Sequence, residues 1–430
     1  MSSIWWERAD LPAFEPLRGG AKTHALIIGG GMAGLLCAYF LQRAGVDYLL
    51  VEAESICSGI TKNTTAKITS QHGLVYDKLV KGMGLARARL YLTANQRAVA
   101  QYKELCQGLD CGFAERDAYV YSLRGRKRIE NELKALHRLG FQADYARDLP
   151  LPFPTDGAVR FQNQAQFDPL AFAGAIARGL NIHERTKVLE LGEGWAKTSG
   201  GVIRAEKILV ATHFPILNKH GSYYMKLYQH RSYVLALEGG PQLPGMYVDE
   251  AKKGMSFRNH GALLLVGGGD HRTGKRGGGW AELRAFAKRH YPGATERYHW
   301  ATQDCMSLDG APYIGPYSKK AKGLYVATGF NKWGMTSSMV AAMLLSDMAQ
   351  GKENPFAPAF DPSRGMLTPQ LFLNGLESAA SLLAPTKPRC PHMGCALKWN
   401  PAERTWDCPC HGSRFSEKGD LIDNPATDGL

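Results

Sequence analysis

The densest concentration of reactive side chains stands near the end of the chain. Cys390-Pro391-His392-Met393-Gly394-Cys395 is followed by Cys408-Pro409-Cys410-His411-Gly412-Ser413. The pattern is C-x-H-x-x-C, then C-x-C-H-x-S. Clustered Cys with His nearby point to a bound metal rather than a disulfide framework. Two chemistries fit such a donor set. Thiolates on one iron and neutral imidazoles on another would make an iron–sulfur cluster of raised reduction potential. A mixed Cys/His tetrahedral zinc site is the alternative.

A second constellation lies near the beginning. Gly29-Gly30-Gly31-Met32-Ala33-Gly34 matches G-x-G-x-x-G. Gly29 allows the tight turn, Gly31 lets the backbone approach a pyrophosphate, and Gly34 lets helix and strand pack closely. The helix that follows points its partial positive end at the phosphates. Glu52 closes the next apolar run, where it can accept ribose hydroxyls.

These groups need elements to hold them. Leu26-Ile27-Ile28 reads as a strand, Leu35 to Leu41 as a helix, and Tyr48-Leu49-Leu50-Val51 as a second strand. This β-turn-α-β order opens a dinucleotide-binding fold. Residues 75–150 read as largely helical, and residues 220–305 mostly as strands, among them Tyr233–Leu237 and Leu263–Val266. Strand character returns at Gly323–Ala327, with a helix expected from near Ser337. The prolines between Asn354 and Pro362 mark a linker.

The boxes Cys390–Cys395 and Cys408–Ser413 resemble the double box of Rieske proteins. The resemblance implies a [2Fe–2S] cluster held by Cys390, His392, Cys408 and His411. It also implies a disulfide between Cys395 and Cys410, as in respiratory-type Rieske proteins, with Ser413 donating toward a sulfide. Strands of the family's base are missing before the first box, so the segment reads as truncated and is expected to dock on the rest of the chain rather than fold alone.

A further ordered set resembles the D-amino-acid-oxidase superfamily of FAD enzymes. It comprises Gly59–Lys67, Val188, Ile208–Thr212, Leu308–Gly315 and Ala327–Thr336. The resemblance implies FAD, with Val188 beside the adenine. Thr64 and Thr65 fall on the loop before the flavin ring, and Gly329, Gly334, Met335 and Thr336 near the isoalloxazine. Gly268–Gly274 is similar to the stretch of monomeric sarcosine oxidase that carries an active-site His, which makes His271 the candidate. Where that enzyme has an oxygen-activating Lys, this chain has Gly267, so electrons are expected to leave by another route than oxygen. Arg231, Arg258 and Arg272 are the candidates for gripping a substrate carboxylate, and Cys305 reads as a plain buried thiol.

The expected fold class is an α/β FAD-binding (Rossmann-like) domain plus an antiparallel-sheet substrate domain, with a small C-terminal Rieske segment. The expected division is 1–353 for the FAD-dependent oxidoreductase, 354–386 for a linker and 387–430 for the cluster-binding segment. The substrate domain is expected mainly from about 75–150 and 220–305. The expected activity is oxidation of a small amine or amino acid, with electrons passing from FAD to the cluster and on to a redox partner protein or quinone. Reverse flow and a redox sensor without turnover are the alternatives.

The formal charge is +13, with Lys and Arg scattered and no nucleic-acid-binding signature, so nucleic acid is not an expected partner. No apolar run of about 18 residues suggests a transmembrane helix. The N-terminus has no leader pattern, which favours the cytoplasm.

Overall fold

Apolar side chains fill both sides of the segment from Ala25 to Ile28, as a central parallel strand requires. In the computed structural model, which describes residues 3–216, 221–251 and 253–430, this segment is the strand Ala21–Ile28. His220, at the start of the expected strand region, and Lys252 within it lie outside the described residues. Ala21–Ile28 pairs in parallel with Tyr48–Val51 on one side and Gly201–Val210 on the other. Leu324–Thr328 continues the parallel order and Tyr313–Pro316 closes the edge antiparallel. Strands from distant parts of the sequence therefore build one sheet, with helix Met32–Arg43 packed against helix Gly334–Ala349 on its face. The latter begins three residues before the expected Ser337.

The second sheet has nine strands. Thr295–Ser307, Leu227–Glu238, Leu263–Arg272, Ser256–His260 and Gly245–Asp249 follow in antiparallel order. The sheet then continues through Ala114–Tyr121 and Ala158–Gln166 to Lys67–Ile68. It is mixed rather than wholly antiparallel, because Gly245–Asp249 runs parallel to Ala114–Tyr121. Residues 75–150 are also less uniformly helical than expected. Helices Tyr76–Leu105 and Arg126–Leu139 are separated by the strand Ala114–Tyr121, whose tyrosines and valine suit a half-buried pleat.

The stretch expected as a linker, 354–386, carries helices Ala357–Phe360 and Pro369–Leu383. Thr368 caps the second, its hydroxyl accepting from the Leu371 amide, and Pro369 occupies the first turn. Beyond it, Lys398–Asn400, Thr405–Asp407, Arg414–Ser416 and Leu421–Asp423 form a four-stranded antiparallel sheet. Its small core is Cys390, Cys395, Leu397, Cys408, Cys410, Phe415 and Ala426. All four strands follow the first Cys/His box, and before it Arg389 makes only an isolated bridge to Ala396.

Candidate functional site: a flavin cavity and a cluster loop pair

The parallel sheet opens at the carboxyl ends of its strands into a cavity of about 1140 Å³. Gly29 turns there with φ +109, and a Cβ at this position would stand 2.6 Å from the carbonyl oxygen of Ala211. At Gly34 a Cβ would stand 1.8 Å from the Gly29 carbonyl oxygen, so the helix can approach the turn only with glycine there. Gly29, Gly31, Glu52, Thr64, Thr65, Val188, Gly334 and Met335 all line the cavity. Glu52 Oε2 accepts from the Gly30 amide at 2.6 Å, and burial raises its pKa. Glycine backbone at a helix start, an acidic residue one strand away and an elongated cavity between them fit a dinucleotide.

Gly329 and Thr336 lie behind the lining. Gly329 takes a left-handed φ of +70. The Thr336 hydroxyl lies 2.9 Å from Nε2 of His72, a lining residue that sequence reasoning missed. The His72 ring stacks on Trp333 at 5.1 Å, and burial pushes its pKa down to about 3, so it is neutral.

The nine-stranded sheet roofs the cavity, and its pleat decides which side chains reach in. Tyr228, His230 and Ser232 line it from one strand, Asp270 and Arg272 from the next, and Asp304 and Met306 from a third. Lys332 forms an ion pair with Asp270. Burial pushes Asp304 up to about 6 and His230 down to about 3. Residues 228–232 read Tyr-Gln-His-Arg-Ser, polar throughout, so the pattern carries no sign of which alternate side chains face the cavity.

Of the four residues expected to act on substrate, three stand elsewhere. His271 falls on the opposite face from Asp270 and Arg272. Its Nε2 is 2.9 Å from the Tyr233 hydroxyl and its Nδ1 2.9 Å from the Arg272 carbonyl oxygen. Arg258 is buried and donates from Nη1 to the carbonyl oxygens of Thr65 at 2.7 Å and Ala66 at 2.8 Å, so it braces the loop beside the cavity. Arg231 pairs with Glu403 in the C-terminal segment. Among the described residues, Arg272 is the one arginine in the cavity lining.

The two Cys/His boxes face each other at the tip of the small sheet. The His392 and His411 rings lie edge to face, with centroids 4.9 Å apart. Burial, then the neighbouring His411, pushes His392 down to about 4, and burial lowers His411 as well, so both imidazoles are held neutral. Nδ1 of His411 is buried without a hydrogen-bond partner among the described residues. Cys390 and Cys408 are hydrogen-bonded through their side chains, and Ser413 reaches Cys390. The sulfurs of Cys395, Cys408 and Cys410 lie within 4.8 Å of one another. Converging sulfurs beside two neutral imidazoles, one with an orphaned buried nitrogen, fit a metal cluster.

The cluster-bearing segment is docked on the body, as its small size requires. Gln229 and Arg231 point away from the cavity toward the segment, and Tyr233, part of the cavity lining, reaches the segment with its hydroxyl. Gly412 packs on the side chain of Gln229. Arg231 and the Tyr233 hydroxyl both bond Glu403. From adjacent strands, Gln303 Nε2 donates to the Gly412 carbonyl oxygen at 2.9 Å, and Arg272 Nε to that of Pro409 at 3.1 Å. Phe214 stands with its ring centroid 6.1 Å from His411 and 6.3 Å from His392. Asn424 and Thr427 of the segment line the flavin cavity itself.

This combination of a dinucleotide cradle under a roofing sheet and a docked two-box cluster loop defines a flavoprotein oxidoreductase wired to an iron–sulfur centre. Residues 24–348 match the family described as FAD dependent oxidoreductase, and residues 378–430 match the Rieske [2Fe-2S] domain. The chain belongs to this FAD-dependent oxidoreductase family and carries a C-terminal Rieske domain; its cofactors are FAD and a Rieske [2Fe–2S] cluster, not zinc. YhfW of Bacillus subtilis, named as a Rieske 2Fe-2S iron–sulfur protein, is 35% identical over 487 residues, covering 99% of this chain and 96% of its own. The cytochrome b6-f complex iron-sulfur subunit of Nostoc punctiforme is 49% identical over 37 residues, 9% of this chain and 21% of its own. Among solved structures, glycine oxidase from Geobacillus kaustophilus superposes with a TM-score of 0.67 at 20% identity, covering 80% of this chain and 99% of its own. L-proline dehydrogenase from P. horikoshii gives 0.65 at 15% identity, covering 81% and 98%. These two likenesses are of fold.

Proposed function

We propose that this enzyme oxidises a C–N bond of a small amine or amino acid and passes the electrons from FAD through the Rieske cluster to an external acceptor, a redox partner protein or a quinone. The observation that carries the reading is the strand Leu227–Glu238, whose alternate side chains serve the two centres. Tyr228, His230 and Ser232 line the flavin cavity, while Gln229 and Arg231 hold the cluster segment, and Tyr233 does both, lining the cavity and bonding Glu403. When bound, FAD takes a hydride equivalent and the cluster takes one electron at a time.

The chain supplies orientation and proton handling. Asp304, with a pKa of about 6, is mostly deprotonated at neutral pH and accepts the proton of a substrate ammonium. The Lys332–Asp270 pair gives the cavity its fixed charges and orients the substrate, while Arg272, whose guanidinium donates to Pro409, Cys410 and Asn374, ties the cavity wall to the cluster segment. Cys390, His392, Cys408 and His411 are the proposed cluster ligands, and Cys395 with Cys410 the proposed disulfide pair. The proposed working division is 1–353 for the flavoprotein body and 387–430 for the cluster segment. The fold neighbours named as glycine oxidase and L-proline dehydrogenase support the substrate class.

The test is anaerobic. The holoprotein is mixed with a panel of amines and amino acids while flavin absorbance and the electron paramagnetic resonance of the cluster are followed. Bleaching of the flavin by one compound, followed by a reduced Rieske signal, is the expected result. Cluster reduction by dithionite with no amine touching the flavin would overturn the proposal.

A further inference from the structure

The helix Pro369–Leu383 is amphipathic with its faces reversed. A helix on a soluble protein buries its apolar stripe and exposes its polar one. Here Asn374 and Ser381 are buried and Glu377 is turned inward to Lys275, 2.7 Å away. Phe372, Leu376 and Leu383 fall on the opposite stripe and are 68%, 68% and 84% exposed. Leu373 beside them is 56% exposed, and Leu367, just before the helix, 89%. The polar face does structural work: Asn374 Oδ1 accepts from Arg272 Nη1 at 2.9 Å, and Asn374 Nδ2 donates to the Met225 carbonyl oxygen. The reversal is therefore fixed by contacts with the body.

Protruding large apolar side chains of this kind mark an interaction surface. The surroundings are basic. Lys387 and Arg389 follow the helix and are exposed, and Arg276 is exposed as well, in a chain of formal charge +13; Lys275 is neutralised by Glu377 on the inner face. Among the described residues no helix is long and apolar enough to cross a membrane, so a surface-lying helix is the form an apolar contact with lipid can take here. We propose that the outer face of Pro369–Leu383 docks on an anionic lipid bilayer, with the leucines and Phe372 entering the acyl boundary and the basic rim meeting lipid phosphates. Docking in this orientation brings the first box near the membrane, because Arg389 Nη1 donates to the carbonyl oxygens of both Leu382, at the helix end, and Gly394 of the box. The inference holds for either direction of electron flow.

The test uses the full-length holoprotein in vesicle flotation, with vesicles of phosphatidylglycerol and phosphatidylcholine in equal parts, and of phosphatidylcholine alone. The protein is expected to float with the anionic vesicles and several-fold less with the neutral ones. The double variant Leu376→Glu/Leu383→Glu should lower the bound fraction about tenfold or more, with flavin and cluster absorbance unchanged. Should the double variant lose its cofactors, Leu383→Asn alone gives the same comparison in milder form. Failure to float, equal flotation of the variants, or equal binding to neutral vesicles would overturn the proposal. A dimer that the double variant dissociates, with no flotation, would assign the face to a second copy instead and also overturn it.

Discussion

Arg231 and Glu403 form a bidentate ion pair across the junction between the flavoprotein body and the cluster segment. Nε lies 3.1 Å from Oε1, Nη2 contacts Oε2, and the two side chains are 4% and 10% exposed. Glu403 also accepts from Arg414 at 2.8 Å and from the Tyr233 hydroxyl at 3.1 Å. A carboxylate this enclosed is tolerable only because its lone pairs are all engaged.

Glu403→Ala should therefore cost about 3 kcal/mol of stability, since it strands the buried Arg231 guanidinium, while Arg414 keeps Asp407 and Asp423. Chemical denaturation of the holoprotein measures this, with earlier loss of cluster absorbance than of flavin as the expected order. The pH dependence follows from the same group. Burial raises the Glu403 pKa, but the charges of Arg231 and Arg414 outweigh it and bring the value from an ordinary 4.5 down to about 2. Its stabilisation is thus complete above about 4.5 and lost as pH falls from there toward 2. The Glu403→Gln protein should lack this part of the acid transition.

Asp304 gives a prediction of opposite sense. Burial raises its pKa to about 6, and the proposed role needs the carboxylate. The rate of flavin reduction should rise as pH passes upward through about 6. Asp304→Asn should lose about 10²–10⁴-fold of that rate and with it the pH dependence. Stopped-flow reduction across pH reads both.

His271→Ala should leave flavin reduction unchanged by comparison, since His271 is not in the cavity lining and its ring bonds the Tyr233 hydroxyl. A loss like that of Asp304→Asn would contradict this placement.

At the cradle, Gly34→Ala would place a methyl 1.8 Å from the Gly29 carbonyl oxygen. The purified variant should contain no flavin, as its absorbance spectrum will report.

For the cluster, Cys408→Ser should abolish the Rieske resonance while flavin stays bound. Cys395→Ser should still load iron, since Cys395 belongs to the proposed disulfide pair and not to the ligand set. Intact-protein mass under non-reducing conditions shows whether the wild-type pair is oxidised.

Local sequence carried both cofactors. Gly29 to Gly34 with Glu52 lie within one strand-turn-helix-strand unit, and the two Cys/His boxes lie on adjoining loops, so spacing marked a dinucleotide site and a metal site, and the family resemblances named FAD and the Rieske cluster. The general architecture was legible for the same reason: apolar runs of the right period mark the central strands. The face on which His271, Arg231 and Arg258 act was not. In a strand, neighbouring side chains point to opposite sides, and a one-residue difference moves a group from the cavity to its back. The pairing of Arg231 with Glu403, and of Arg272 with the carbonyl oxygen of Pro409, joins positions far apart in sequence that only the docked tertiary structure brings together. The outward apolar face of Pro369–Leu383 was hidden likewise. Its periodicity marks an amphipathic helix, but which stripe meets water depends on the partners waiting for Asn374 and Glu377 on the folded body.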